Sequence, residues 1–134
     1  MCEWFDKTSG QLLEKLEAEE LHENALVVYL CDNGWIQSTD RNGYAAHSER
    51  SPNEMGTHTP ILFYWQGRIE STDRPEMCMS IDISYTILAT AGVEVPNIWP
   101  GINLLPGIES GKKIRRDMIF GEARARDIAN LHKP

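Results

Sequence analysis

The sequence predicts an α/β fold, a sheet flanked by helices, on two observations. Residues 6 to about 23 carry leucines at helical spacing on one face and Glu and Lys on the other, which is typical of an amphipathic helix. The β-branched run ALVVYLC follows and stops at Asp-Asn-Gly, which predicts a strand buried on both faces and closed by a turn. A helix followed by such a strand is the repeating unit of an α/β sheet.

The remaining elements follow in order. Residues 35–59 are polar and lack a sustained period, which predicts a long loop of the kind that often carries function. ILFYW at 61–65 predicts a second buried strand, and SIDISYTILATAGV at 80–93 predicts a second helix that stops near Gly92. Residues 95–113 are punctuated by Pro and Gly and predict a loop, and DMIFGEA at 117–123 is a candidate third strand.

Composition excludes several classes of protein. Twenty Asp and Glu against 13 Lys and Arg give a net charge of −7 over 134 residues, and no cationic stripe is present, so nucleic acid is not an expected partner. The apolar runs are far shorter than the roughly 18 residues of a membrane-spanning helix, and a soluble chain is expected. The three cysteines form no CxxC pair and predict reduced thiols.

Five blocks of the sequence resemble one family. VVYLCDNGW, HSERSPNEMGTHTPILFYWQGRI, SIDISYTILATAGVEVP, WPGINLLPG and DMIFGEA are similar, in that order, to the C-terminal half of the catalytic domain of type I sulfatases in the alkaline phosphatase superfamily. The resemblance implies that residues 1–134 are part of an alkaline phosphatase-like sheet flanked by helices. It also implies that they form an incomplete, C-terminal portion of a larger domain.

The resemblance further implies a chemistry. Type I sulfatases use a formylglycine, made from the Cys or Ser of a C/S-x-P-x-R signature, beside a bound calcium. No Cys or Ser of this sequence begins that signature, so the nucleophile is expected upstream and no catalytic residue is assigned in this chain. The 134-residue chain alone is therefore expected to be inactive.

Asp32 and Asn33 are the candidate metal ligands. A carboxylate and an amide carbonyl are hard oxygen ligands suited to calcium, and the family places such a pair after a strand. The alternative is that the pair only forms the turn. Two side chains fall short of the roughly six to eight oxygens that calcium takes, so weak binding is expected in the isolated chain.

Candidate substrate-binding residues lie in the long loop. Relatives place a sulfate-binding lysine five residues before the Glu of the E-x-G block at 54–56, and Glu49 stands at that position here. A carboxylate repels a sulfate, so either function is lost or the adjacent Arg50 supplies the cation. His47 and His58 could line a substrate pocket or simply be exposed; relatives often have Arg where His58 stands. Glu54 is expected to bond backbone amides around Gly56.

Three functions remain open at this stage. The first is a sulfatase that hydrolyses sulfate esters. The second is a phosphodiesterase or phosphonate hydrolase of the same superfamily, which the upstream nucleophile would distinguish. The third is a non-catalytic sulfatase-like binding protein, motivated by Glu49. Self-association of the chain is also expected, because both predicted strands look apolar on both faces and would leave an edge unpaired.

Overall fold

A computed structural model describes residues 2–40, 42–49 and 51–119, which form two compact units. One unit is built from the described residues of Met1–Leu26 and Trp65–Ile119, and the other from those of Val27–Tyr64. The elements in chain order are α1 (Cys2–Ala18), a short 3-10 turn (His22–Asn24), β1 (Val27–Leu30), α2 (Glu54–Thr57), β2 (Ile61–Tyr64), α3 (Ser80–Thr90) and α4 (Leu105–Ser110). The predicted α/β class is confirmed.

The first helix starts and ends earlier than the sequence predicts. It ends at Ala18 because Glu20 adopts a left-handed conformation with φ of +57°. The amide of Glu20 then donates to Glu17 O at 2.9 Å and that of Leu21 to Leu16 O at 2.9 Å, the double bond of a Schellman cap. Because glycine usually occupies this position, a glutamate there gave the sequence no stop signal.

The core of the first unit is small and contains a polar cluster. Its buried apolar side chains are those of Trp65, Ile83, Leu104 and Leu105. Asp82 is fully buried, and its Oδ2 accepts from the Met79 amide at 2.7 Å, which closes a capping box at the start of α3. Its Oδ1 accepts from the Ile102 amide at 2.9 Å and also pairs with Arg116. Asp82 therefore ties the start of α3 to the segment that precedes α4.

The sequence predicts a loop at 95–113, and this is wrong where the helix α4 lies. Pro106 stands in its first turn, and Gly111 follows its last residue with a left-handed φ of +66°. Proline at the start and glycine just after the end are helix boundary signals as well as loop signals. Residues 117–119 of the predicted third strand are not in a strand, and its residues 120–123 lie outside the described part.

The second unit contains the sheet. β1 and β2 pair antiparallel, with Val27 opposite Tyr64 and Leu30 opposite Ile61. Both strands are slightly shorter than predicted. Leu62 and Tyr64 are 58% and 48% exposed, so within the described chain β2 does not have the two-sided burial that its sequence predicts. Among the described residues no helix is long and apolar enough to span a membrane.

Candidate active-site corner

The Asp-Asn-Gly turn directly follows β1, so the sheet fixes the backbone position of the turn residues. Asp32 Oδ1 accepts from the Asn33 amide at 3.0 Å, and Asn33 Nδ2 donates to Gly34 O at 2.8 Å. The nitrogen end of the Asn33 side chain is thus held locally, and its Oδ1 is the atom that it can present to a cation. Asp32 is exposed and Asn33 half-buried, so the turn and a ligand role are compatible in one geometry.

The backbone of this turn packs closely against the E-x-G segment at 54–56. The Gly34 amide donates to Gly56 O at 2.8 Å, and Gly34 is buried. A Cβ at Gly34 would lie 2.3 Å from Met55 O and 2.8 Å from His58 O. Glycine is needed here for space, because any side chain would separate the Asp-Asn-Gly turn from α2.

A second glycine draws in the loop that carries Glu49. A Cβ at Gly56 would lie 2.2 Å from Ser48 O and 2.4 Å from Ser51 O. Ser48 is fully buried, and its Oγ accepts from the Ile36 amide at 2.7 Å. We call Gly34, Gly56, Ser48 and Ser51 the glycine corner. It brings the segments bearing Asp32, Asn33, Glu49 and His58 together within one compact unit.

Acidic side chains outnumber basic ones between residues 27 and 64. The four carboxylates of this range are those of Asp32, Asp40, Glu49 and Glu54, and its two arginines, Arg41 and Arg50, lie outside the described residues. Glu49 is half-buried beside buried Ser48, whereas Arg50, the predicted alternative cation, lies outside the described residues. The four carboxylates alone would repel a sulfate, so a bound sulfate would need positive charge from an arginine or from a metal ion.

The two histidines are both exposed. His47 adopts a left-handed backbone with φ of +64°, and its Nδ1 lies 3.1 Å from Asn53 Nδ2. His58 Nδ1 lies 3.8 Å from Glu54 Oε1, with the two side chains 78% and 87% exposed. The expectation that Glu54 bonds amides around Gly56 is wrong, because its carboxylate faces solvent and His58.

The structure also shows an aromatic pair that sequence reasoning missed. Trp35 follows the Asp-Asn-Gly turn, and its ring meets that of Tyr44 edge to face, with centroids 5.7 Å apart and planes at 68°. The signal was available in the sequence, since these are the two aromatic residues of an otherwise polar loop. Reasoning from charged and metal-ligating residues passed over them.

The donor chemistry fits calcium in part. Among the residues that the structure describes, no group of three or more His, Cys, Asp or Glu side chains could hold a metal ion. Asp32 and Asn33 supply two hard oxygens at one turn, which suits calcium but does not complete its shell. All three cysteines are free, as the sequence predicts.

Comparison with known proteins identifies the family. The Sulfatase family model matches residues 1–93, so the chain belongs to the sulfatase family. The chain is 27% identical to Arylsulfatase K of Canis lupus familiaris over 134 residues, which cover all of this chain and 22% of that protein. It is 29% identical to Arylsulfatase A of Homo sapiens, covering 87% of this chain and 24% of that protein.

A solved structure agrees with these relatives. BT4656, solved in complex with its substrate D-glucosamine-2-N,6-O-disulfate, matches with a TM-score of 0.66 and 28% identity, covering 84% of this chain and 22% of BT4656. The chain thus spans about a fifth to a quarter of the length of these relatives. The predicted family and the sulfatase-like α/β fold are confirmed.

Proposed function

We propose that residues 1–134 are the C-terminal portion of a sulfatase catalytic domain, and that the complete protein hydrolyses sulfate esters. The observation that carries the proposal is the glycine corner. Two backbone contacts that only glycine allows hold the Asp-Asn turn against α2 and the Glu49 loop. Membership of the sulfatase family supports the assignment of this corner to the active site.

Asp32 and Asn33 are the residues that would hold calcium. Both residues lie in the sharp turn at the end of β1, and carboxylates are frequent among the described residues of the same unit. A bound calcium would neutralise charge on the sulfate group and orient it for attack. The remaining ligands, and a formylglycine made from a C/S-x-P-x-R signature, would come from other parts of the complete protein.

The test is sulfate release by the protein expressed from its complete reading frame. A sulfated glucosamine is the first substrate to try, because the substrate of the similar structure BT4656 is one. Asp32→Ala should lower turnover at least about a hundredfold, because a bound metal ion would stabilise the charge of the transition state by several kcal/mol. Asp73→Asn, an exposed aspartate in the other unit, is the matched control and should keep full turnover.

Two results would contradict the proposal. Unchanged sulfate release in the Asp32→Ala variant would remove Asp32 from the site. Turnover of bis(4-nitrophenyl) phosphate in preference to every sulfate ester would assign the protein to the phosphodiesterase alternative.

A non-catalytic sulfatase-like binding protein is the second candidate. It is favoured by Glu49, which places a carboxylate at the position where relatives carry a sulfate-binding lysine. In that case the wild-type protein would release no sulfate, and Glu49→Lys would increase inorganic sulfate binding while Glu49→Gln would increase it less. Sulfate release by the wild-type protein would exclude this candidate.

A further inference from the structure

Trp35 and Tyr44 form an exposed aromatic pair beside the glycine corner. Trp35 is 52% exposed and Tyr44 39% exposed. In their edge-to-face contact one ring offers an edge and the other a face, so at least one whole face of the indole stays uncovered by Tyr44. Ligand pockets are lined mainly by hydrophobic and aromatic side chains together with a few polar groups, which is the combination found here.

The backbone holds the two rings in place. An antiparallel bridge joins Gln37 to Tyr44, the Ala45 amide donates to Ile36 O at 2.7 Å, and the Ser38 amide donates to Gly43 O at 3.2 Å. Gly43 takes a left-handed φ of +77°, which lets the chain turn back. The rings therefore stand on a small paired hairpin, which lowers the entropy cost of stacking a ligand on them.

The tip of this hairpin is also fixed. Asp40 Oδ1 accepts from the Asn42 amide at 3.0 Å and from the Ser38 hydroxyl, and both contacts lower the pKa of the Asp40 carboxyl. Gln37 Nε2 donates to Gly43 O at 2.7 Å. The segment between the two aromatic residues is otherwise rich in hydroxyl and amide groups, which can bond to a polyhydroxylated ligand.

The aromatic pair is tied directly to the corner. Trp35 lies between Gly34, whose amide is bound to Gly56 O, and Ile36, whose amide is bound to the buried Ser48 hydroxyl at 2.7 Å. Its backbone is thus held on both sides by the elements that position Asp32 and Glu49. A ligand bound at the corner would therefore find the Trp35 backbone held three residues from Asp32 along the chain.

We propose that Trp35 and Tyr44 form a stacking platform for the pyranose ring of a sulfated sugar, and so favour saccharide sulfates over simple alkyl sulfates. One face of a pyranose presents axial C–H bonds, which are apolar and slightly positive and suit the negative face of an indole. The ring hydroxyls suit the polar groups of the hairpin. This inference rests on the proposed sulfatase function and names the residues that recognise its substrate.

The test measures binding to the complete protein and needs no turnover. The probes are N-acetylglucosamine, its 6-sulfate, phenyl sulfate and methyl sulfate, each measured by ligand-observed NMR or calorimetry. Trp35→Ala should lower the affinity for both sugars about tenfold, equivalent to about 1.4 kcal/mol, and leave the affinity for methyl sulfate unchanged. Trp35→Phe should restore part of the loss. Trp4→Ala removes a tryptophan that is 75% exposed on α1 and should change none of the four affinities.

Several results would overturn the platform. They are sugar affinities within twofold of wild type in Trp35→Ala, no sugar binding by the wild-type protein, or a loss for methyl sulfate as large as that for the sugars. A lower unfolding temperature of Trp35→Ala with unchanged sugar affinity would show that the indole packs against protein instead.

Failure of this inference is separable from failure of the proposed function. If the platform is wrong but the protein is a sulfatase, sulfate release persists and is insensitive to Trp35→Ala. If the protein is not a sulfatase, no sulfate is released, while binding of unsulfated N-acetylglucosamine still depends on Trp35.

Discussion

Gly56→Ala is the substitution that tests most sharply how the corner is built. The added methyl group would lie 2.2 Å from Ser48 O and 2.4 Å from Ser51 O. An ordinary contact is at least 3.4 Å, so each overlap is 1.0 Å or more. Both obstructing atoms are backbone carbonyl oxygens, which cannot rotate away as a side chain would. The loop or α2 must therefore move.

The magnitude follows from this geometry. Overpacking typically costs about 1–3 kcal/mol and more where the surroundings cannot yield, so we expect at least about 3 kcal/mol here. That is a large share of the roughly 5–15 kcal/mol by which a domain is stable. Gly10→Ala is the matched control: Gly10 lies inside α1 with nothing within 4 Å of its Cβ position, so alanine should stabilise the helix by about 0.5–1 kcal/mol.

The assay is urea unfolding of the complete protein, with the free energy of unfolding extrapolated for both variants. The same substitution should act with opposite sign at the two positions. Gly56→Ala should also disturb Trp35 fluorescence, because Ser48 bonds the amide next to that residue. A Gly56→Ala variant as stable as wild type would refute the close contact and with it the corner.

Three further predictions concern the rest of the chain. Asp82→Asn should lower the free energy of unfolding by about 3–5 kcal/mol in urea titrations, because it leaves Arg116, whose side chain is 13% exposed, without its buried partner; an unchanged midpoint would contradict this. The pKa of Asp40 is lowered chiefly by the Ser38 hydroxyl. The ionised carboxylate therefore stabilises the folded state fully above the ordinary pKa of about 3.9, and this stabilisation is lost as pH falls through the lower pKa of the folded state. Trp35 fluorescence should report this acid transition, and Asp40→Asn should abolish it. The 134-residue chain should scatter light as a dimer or larger species, and a monodisperse 15.2 kDa monomer would contradict the prediction.

The expected self-association rests on exposed apolar surface. Among the described residues Leu12, Leu62 and Trp4 are each more than half exposed, and four apolar side chains form the buried core. Covering about 400 Å² of apolar surface is worth on the order of 10 kcal/mol before association costs. The chain spans about a fifth to a quarter of the length of its curated relatives.

The sequence predicts the elements better than their ends. β1, β2 and α3 lie where β-branched runs and helical spacing place them. The end of α1 was missed because Glu20 takes a conformation that glycine usually takes. The helix α4 was missed because Pro106 and Gly111 signal loops and helix ends alike.

The site shows the same division. Asp32 and Asn33 are metal ligands by prediction, from residue chemistry and a family pattern, which are both local signals. The contacts at Gly34 and Gly56 join segments about twenty and eight residues apart, and no periodicity encodes such an approach. The pairing of Trp35 with Tyr44 depends on the hairpin register, which the turn at Gly43 sets.

Calcium dependence of sulfate release tests the central claim most directly. The complete protein would be stripped with EDTA, and sulfate release from a sulfated glucosamine followed as calcium is restored, for wild type and Asp32→Ala. We expect calcium to restore wild-type activity and the variant to need at least about tenfold more calcium, or to stay inactive, because it lacks a carboxylate ligand. Sulfate release that needs no calcium, or equal calcium midpoints for the two proteins, would contradict the assignment of Asp32 to the metal site.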